Sequence, residues 1–176
     1  PIRNFRDLVD LSKWVRDLMK KGTKSKRKKP KKSKDTPVTK LGDIYEKLEE
    51  LDKLIGLEDL KDQIAMQIVF FIQDLNKDEM MHTAIMGPPG MCKTTVTEIL
   101  AKIYSKLGFL SSGHVVSATR SDLVGQFLGE TSIKTRDVLE NAEGGVLLLD
   151  EAYQLGDPRG RDSFAAECIN TINQYY

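Results

Sequence analysis

Cysteine is scarce in this chain, with only Cys92 and Cys168 among 176 residues. Two thiols cannot build a disulfide framework, so stability must come from an apolar core, and a reducing compartment inside the cell suits such a chain. Histidine is equally sparse. His82 and His114 flank apolar runs without further ligands at metal-binding spacing, which reads as surface or hydrogen-bonded imidazole. No run approaches about 18 consecutive apolar residues, and Pro1 to Arg6 has no apolar signal-peptide core, so neither a transmembrane segment nor export is expected. Internal repeats are also missing. What remains is 40% apolar and 30% charged residues, a soluble globular composition of a length suited to one ordinary domain.

The formal net charge of +1 conceals two opposed regions. Residues 1–40 carry 15 Lys and Arg against 4 Asp and Glu, a net +11, whereas residues 41–176 carry 12 against 22, a net −10. Ten of the fifteen residues from Lys20 to Lys34 are cationic and none is large and apolar, so this stretch repels itself, buries nothing and is expected to be disordered. Lys26-Arg27-Lys28-Lys29-Pro30-Lys31-Lys32 suits a nuclear-import signal or a contact with nucleic acid or another polyanion. A solubilising linker, or an arm folding back on the acidic region, is the plainer alternative. Ahead of it, Phe5, Leu8, Val9, Leu11, Trp14, Val15, Leu18 and Met19 recur at helical spacing, opposite Arg3, Arg6, Asp7, Asp10, Lys13, Arg16 and Asp17. That amphipathic helix could dock on a partner or a membrane with Trp14 as anchor, or pack on its own chain, and its three acids weaken the membrane alternative. The organisation expected is an amphipathic helix at 1–19, a basic linker at 20–40 and a folded domain at 41–176.

From Leu41 the pattern alternates. Tyr45, Leu48, Leu51, Leu54 and Ile55 form a helical stripe ending at Gly56, and a second helix is predicted from about Leu57 to Leu75. His82 to Met86 reads as a strand entering a turn, Thr94 to Leu107 as a helix, and His114 to Ala118 and Gly145 to Leu149 as further strands. These strands are continuously apolar and separated by helices, which predicts a parallel sheet buried on both faces, an α/β three-layer domain.

The turn after the first strand, Gly87-Pro88-Pro89-Gly90-Met91-Cys92-Lys93-Thr94-Thr95, has the order of a phosphate-binding loop. Such a loop needs backbone amides turned inward at the positive end of a helix, a lysine for the β- and γ-phosphates of ATP, and a hydroxyl for Mg²⁺. Lys93 and Thr94 fill the last two roles. Cys92 stands where the pattern has its second glycine, and its side chain is expected to strain the loop or crowd the phosphate. The third strand ends in Asp150-Glu151, at the strand edge where ligands bind in open α/β folds. There Asp150 would hold Mg²⁺ and Glu151 would polarise the water attacking the γ-phosphate, although acids after a buried strand also serve as helix caps.

Together these residues resemble the AAA+ ATPases, in the branch of the red-type Rubisco activases and stage V sporulation K-like proteins. The resemblance runs from about Leu51 to Ile172 and takes in Leu54-Ile55-Gly56-Leu57, Asp122-Leu123-Val124-Gly125-Gln126-Phe127-Leu128-Gly129, Lys134-Thr135-Arg136 and Asp150-Glu151-Ala152-Tyr153. It implies a P-loop NTPase fold, with Ile55 and Gly56 near the adenine and Phe127-Leu128-Gly129 as a pore loop. That loop would grip a protein substrate inside a hexameric homo-oligomer. From the residues alone, Phe127 before a glycine could equally be a buried turn anchor. The chain reaches Tyr176 after the helix carrying Phe164, Ala165, Cys168, Ile169 and Ile172. The family's fourth strand, which lies between its first and third, its arginine finger and its helical lid are not encoded. The expectation is therefore the large AAA+ subdomain, incomplete at its C-terminal end. It would be a piece of a longer ATP-hydrolysing remodeller, a module completed by another chain, or a noncatalytic scaffold.

Overall fold

The computed structural model describes residues 2–24, 37–73, 82–87, 90, 92–127, 129–156 and 161–175. The chain divides into two compact units, Pro1–Phe109 and Leu110–Tyr176.

The first unit is helical: α1 (Phe5–Lys24), α2 (Pro37–Asp52), α3 (Glu58–Ile72) and α4 (Lys93–Leu107). Helix α1 starts where Asn4 caps it, its side-chain oxygen accepting from the Asp7 amide at 3.0 Å. Phe5, Leu8, Ser12 and Val15 are buried, and the helix packs on α2 and α3. Self-packing is thus the outcome for this face, and Arg16 lies 3.9 Å from the centre of the Tyr45 ring. Gly42 is what permits the close approach, since a Cβ there would stand 3.3 Å from the Arg16 backbone. Trp14 lies outside the buried face and is 59% exposed. Helix α2 opens on proline, whose missing amide costs nothing in a first turn. Both helices reach into the 20–40 stretch read as linker, while 25–36 lie outside the described residues.

Helices α2 and α4 exchange lysines. Lys40 Nζ donates to the Leu107 carbonyl at 2.7 Å and Lys106 Nζ to the Asp43 carbonyl at 2.9 Å. Tyr104 packs edge-on against Phe71, with ring centroids 5.6 Å apart, and donates to Gln67 Oε1 at 2.9 Å. Burial pushes its phenol up to about 12.

The second unit is α/β. Strands β1 (Val115–Ala118) and β2 (Val146–Leu149) pair in parallel, Val115 opposite Val146 and Ala118 opposite Leu149. They are joined through α5 (Arg120–Leu123) and α6 (Glu130–Ala142), and α7 (Ser163–Tyr175) packs against α6. Ala118, Leu123, Leu155, Ala165 and Cys168 form its core, so Cys168 is a core thiol whose pKa burial raises. Gly145 admits His114, because a Cβ there would meet the imidazole at 2.5 Å. The ring contacts Ser112 Oγ at 2.8 Å and the Asn141 carbonyl at 2.9 Å, the hydrogen-bonded histidine expected.

One expected strand is not formed. Residues 82–87 carry no regular secondary structure, and no strand of the first unit pairs with them among the described residues. A strand is defined by its ladder, so an apolar segment that joins no ladder of the described residues is irregular there. The paired sheet of the described residues therefore has two strands where the pattern predicted three. No helix of the described residues is long and apolar enough to cross a membrane.

Candidate functional site

Gly87, Gly90 and Cys92 are the described residues of the 87–92 turn ahead of α4. Gly90 has φ 82°, and Cys92 takes the left-handed conformation, φ 51° and ψ 23°, directly before Lys93 opens the helix. This is the conformation in which glycine is the easiest residue, so the strain expected of Cys92 is present, at about 1–2 kcal/mol. Cys92 is exposed and α4 has no side-chain cap. The Val96 amide donates back to the Cys92 carbonyl at 2.9 Å, the bond that ties Cys92 to the first turn of α4. Lys93 Nζ donates to the Gly87 carbonyl at 3.1 Å, holding its ammonium over the loop. Thr94 and Thr95 are exposed in the first turn. A phosphate chain suits these donors: amides at the positive end of a 15-residue helix, an ammonium, and hydroxyl oxygens able to ligate a hard cation. Pro88, Pro89 and Met91 lie outside the described residues.

The acidic pair stands at the end of β2. The Asp150 amide continues the ladder, donating to the Ala118 carbonyl at 2.9 Å. Glu151 then turns left-handed, φ 52°, as the chain enters a 3₁₀ turn at Ala152–Leu155. The Glu151 amide donates to Asp150 Oδ1 at 2.9 Å, so the sharp corner turns the two carboxylates out of the strand, and both are exposed. Gln154 Nε2 donates to Glu151 Oε2. Arg120 secures this corner, donating to the Gln154 carbonyl at 3.2 Å and pairing with Asp162 at 2.6 Å. The Asp162 carboxylate also accepts the Ala165 amide at 3.0 Å, and that amide, followed by Arg120, holds its pKa below the ordinary value.

Phe127 is 69% exposed, and Gly129 takes φ 84° ahead of α6; Leu128 lies outside the described residues. Glu130 Oε2 accepts the amides of Gln126 and Phe127 at 3.0 and 3.2 Å, which fixes the loop backbone beneath the ring. The reading of Phe127 as a buried anchor is therefore wrong for its side chain. Ile55 and Gly56 lie in the turn between α2 and α3, and Ile55 is fully exposed.

Sequence reasoning passed over Glu130, Gln154, Arg120 and Lys61. Glu130 carried a signal, an acid in the first turn after a glycine. Lys61 carried another, a cation on the apolar stripe of Ile64, Ile68 and Phe71. Gln154 and Arg120 act through tertiary contacts that no local pattern encodes.

Comparison with known proteins matches residues 83–175 to the model of the ATPase family associated with various cellular activities (AAA). A putative cfxQ-like protein of Acanthamoeba polyphaga mimivirus is 43% identical over 131 residues, 73% of this chain and 32% of that protein. The chloroplastic ribulose bisphosphate carboxylase/oxygenase activase of Cyanidioschyzon merolae is 39% identical over 140 residues, 74% of this chain and 48% of its own length. Stage V sporulation protein K of Bacillus subtilis is 34% identical over 139 residues, 74% and 43% respectively. The chain thus spans from 32% to 48% of the length of these relatives.

Proposed function

This chain belongs to the ATPase family associated with various cellular activities, and we propose that it is the nucleotide-binding part of an ATP-driven machine that remodels a protein substrate. The observation that carries the reading is the start of α4, where Lys93 and Thr94 follow a left-handed residue at the positive end of a long helix. In this reading the backbone amides at the start of α4 and the Lys93 ammonium bind the β- and γ-phosphates. Thr94 and Asp150 would hold Mg²⁺, which when bound draws charge from the phosphate oxygens. Glu151 accepts a hydrogen bond from the attacking water and orients it, and Gln154 fixes which carboxylate oxygen is free to do so. Ile55 and Gly56 cover the adenine.

The substrate-facing element is Phe127-Leu128-Gly129, supported by the exposure of Phe127 and the pinned backbone beneath it. A homo-oligomeric ring, hexameric by resemblance, would present that loop to a polypeptide. Residues 20–34 would add a contact to nucleic acid or another polyanion through their cationic side chains.

A second reading is favoured by Cys92: a noncatalytic scaffold that keeps the loop without a firm hold on nucleotide. Equilibrium titration with ATP separates the two. Binding in the chain, tightened in Cys92→Gly, supports the ATPase reading; absence of binding in both proteins overturns it and leaves the scaffold.

A further inference from the structure

The turn between α2 and α3 combines features that seldom coincide. Ile55 is fully exposed, an apolar side chain with no cover at all. Gly56 and Leu57 follow it with φ 75° and 64°, two consecutive left-handed residues, the second of them carrying a Cβ that disfavours this conformation. An apolar residue on a strained turn would relax without a restraint. The restraint is a buried lysine. Lys61 is only 2% exposed, and its Nζ donates to the Leu54 carbonyl at 2.7 Å and the Asp52 carbonyl at 3.2 Å, with Glu58 Oε1 at 3.5 Å. Those carbonyls belong to the negative end of α2 and to the residue directly before Ile55, where an ammonium is held by both charge and hydrogen bonds. The Lys61 amide donates to the Leu57 carbonyl at 2.9 Å, so one residue grips the turn on both sides of Ile55 and Gly56.

We infer that Lys61 is a positioning residue for base recognition, clamping the 52–58 turn so that Ile55 is presented ready-made as an apolar cover for a purine ring. The inference rests on the reading that Ile55 and Gly56 take the adenine, and it adds what makes them fit to do so. A preformed turn spares the ordering cost that a mobile one would meet on binding. Loss of the clamp should therefore weaken contacts to the base and leave contacts to the phosphates alone.

The test is a double-mutant cycle on the full chain with Lys61→Met and Ile55→Ala, titrated with Mg-ATP and, separately, with inorganic tripolyphosphate. Each single variant is expected to weaken ATP about tenfold, and the double variant also about tenfold rather than about a hundredfold, because both remove the same contact. Tripolyphosphate affinity should stay within about twofold in all three. Lys61→Gln, which keeps a polar donor in the same space, is read in the same way should the methionine variant not fold. Unchanged ATP affinity in the lysine variants, equal losses for ATP and tripolyphosphate, or losses that add to that of Ile55→Ala would overturn the inference. The parent chain reports separately on the nucleotide reading, which fails if ATP binds no better than tripolyphosphate or neither binds.

Discussion

The loop before α4 and the acidic corner after β2 are held by different means. Asp150 extends a paired strand, its amide within the ladder at 2.9 Å, and the corner is braced by Gln154, Arg120 and Asp162. The segment ahead of α4, 82–87, joins no ladder of the described residues; its described ties include the Lys93 ammonium on the Gly87 carbonyl. A motif seated on a paired strand inherits its geometry from ladder bonds, whereas one on a segment in no described ladder depends more on the helix that follows it. Each junction carries a left-handed residue with a Cβ, Cys92 at φ 51° and Glu151 at φ 52°, but only that of Glu151 follows directly on a paired strand.

The sharpest test of this contrast is Lys93→Ala against Glu151→Gln. On the proposed reading the first is expected to weaken ATP binding about 100-fold and the second by less than about twofold, because the lysine would contact ground-state phosphate while the glutamate would act on water. Titration with a fluorescent ATP analogue reads both, and equal losses would erase the distinction. Next in size is Leu123→Ala, which empties a fully buried site in the core of the second unit. A loss of about 3 kcal/mol is expected in urea unfolding, and a loss below about 1 kcal/mol would mean that the core has collapsed around the gap.

Smaller again is Cys92→Gly, expected to tighten ATP about tenfold and to add about 1 kcal/mol of stability by relieving the left-handed cysteine. No gain in either would show that the loop accommodates the side chain.

The smallest effects separate the units by pH. Tyr104, raised from 10.0 to about 12 by burial, stays neutral in the folded chain while the unfolded chain ionises. Its contribution is fully present below pH 10.0 and is lost as pH climbs toward 12. Asp162 is depressed, first by the Ala165 amide and then by Arg120. Its contribution is present above the ordinary carboxylate pKa of about 4 and is lost as pH falls through the folded value. Tyr104→Phe should flatten only the alkaline limb of the urea midpoint against pH, and Asp162→Asn only the acid limb.

What was legible in the sequence follows the same division between local and non-local causes. The helix predicted at Thr94 to Leu107 and the strands at His114 to Ala118 and Gly145 to Leu149 appear within a residue of their expected bounds, because apolar period and flanking glycines are local signals. The strand at His82 to Met86 had the same local signal but needs a neighbour that no local pattern supplies. Helical spacing puts Trp14 on the packing face of α1, yet Ser12 is buried and Trp14 is not, since Phe5, Leu8 and Val15 centre the contact on a different line. Ile55 continued the stripe of α2 on paper, but the helix ends at Asp52 and the side chain leaves that face. At the site, the left-handed position of Cys92 was readable from the glycine the pattern requires, whereas the brace of Arg120 on the Gln154 carbonyl spans 34 residues.

The exchanged lysines of α2 and α4 have a consequence for how this chain tolerates change. Lys40 and Lys106 each donate to a backbone carbonyl of the opposite helix, at Leu107 and Asp43. A carbonyl is common to every amino acid, so substitution at residue 43 or 107 leaves the acceptor in place, and only the lysine side of each clasp can be lost by mutation. Lysine acetylation, which removes the charge and adds an acetyl group but leaves one N–H on Nζ, would weaken either clasp without altering the encoded chain.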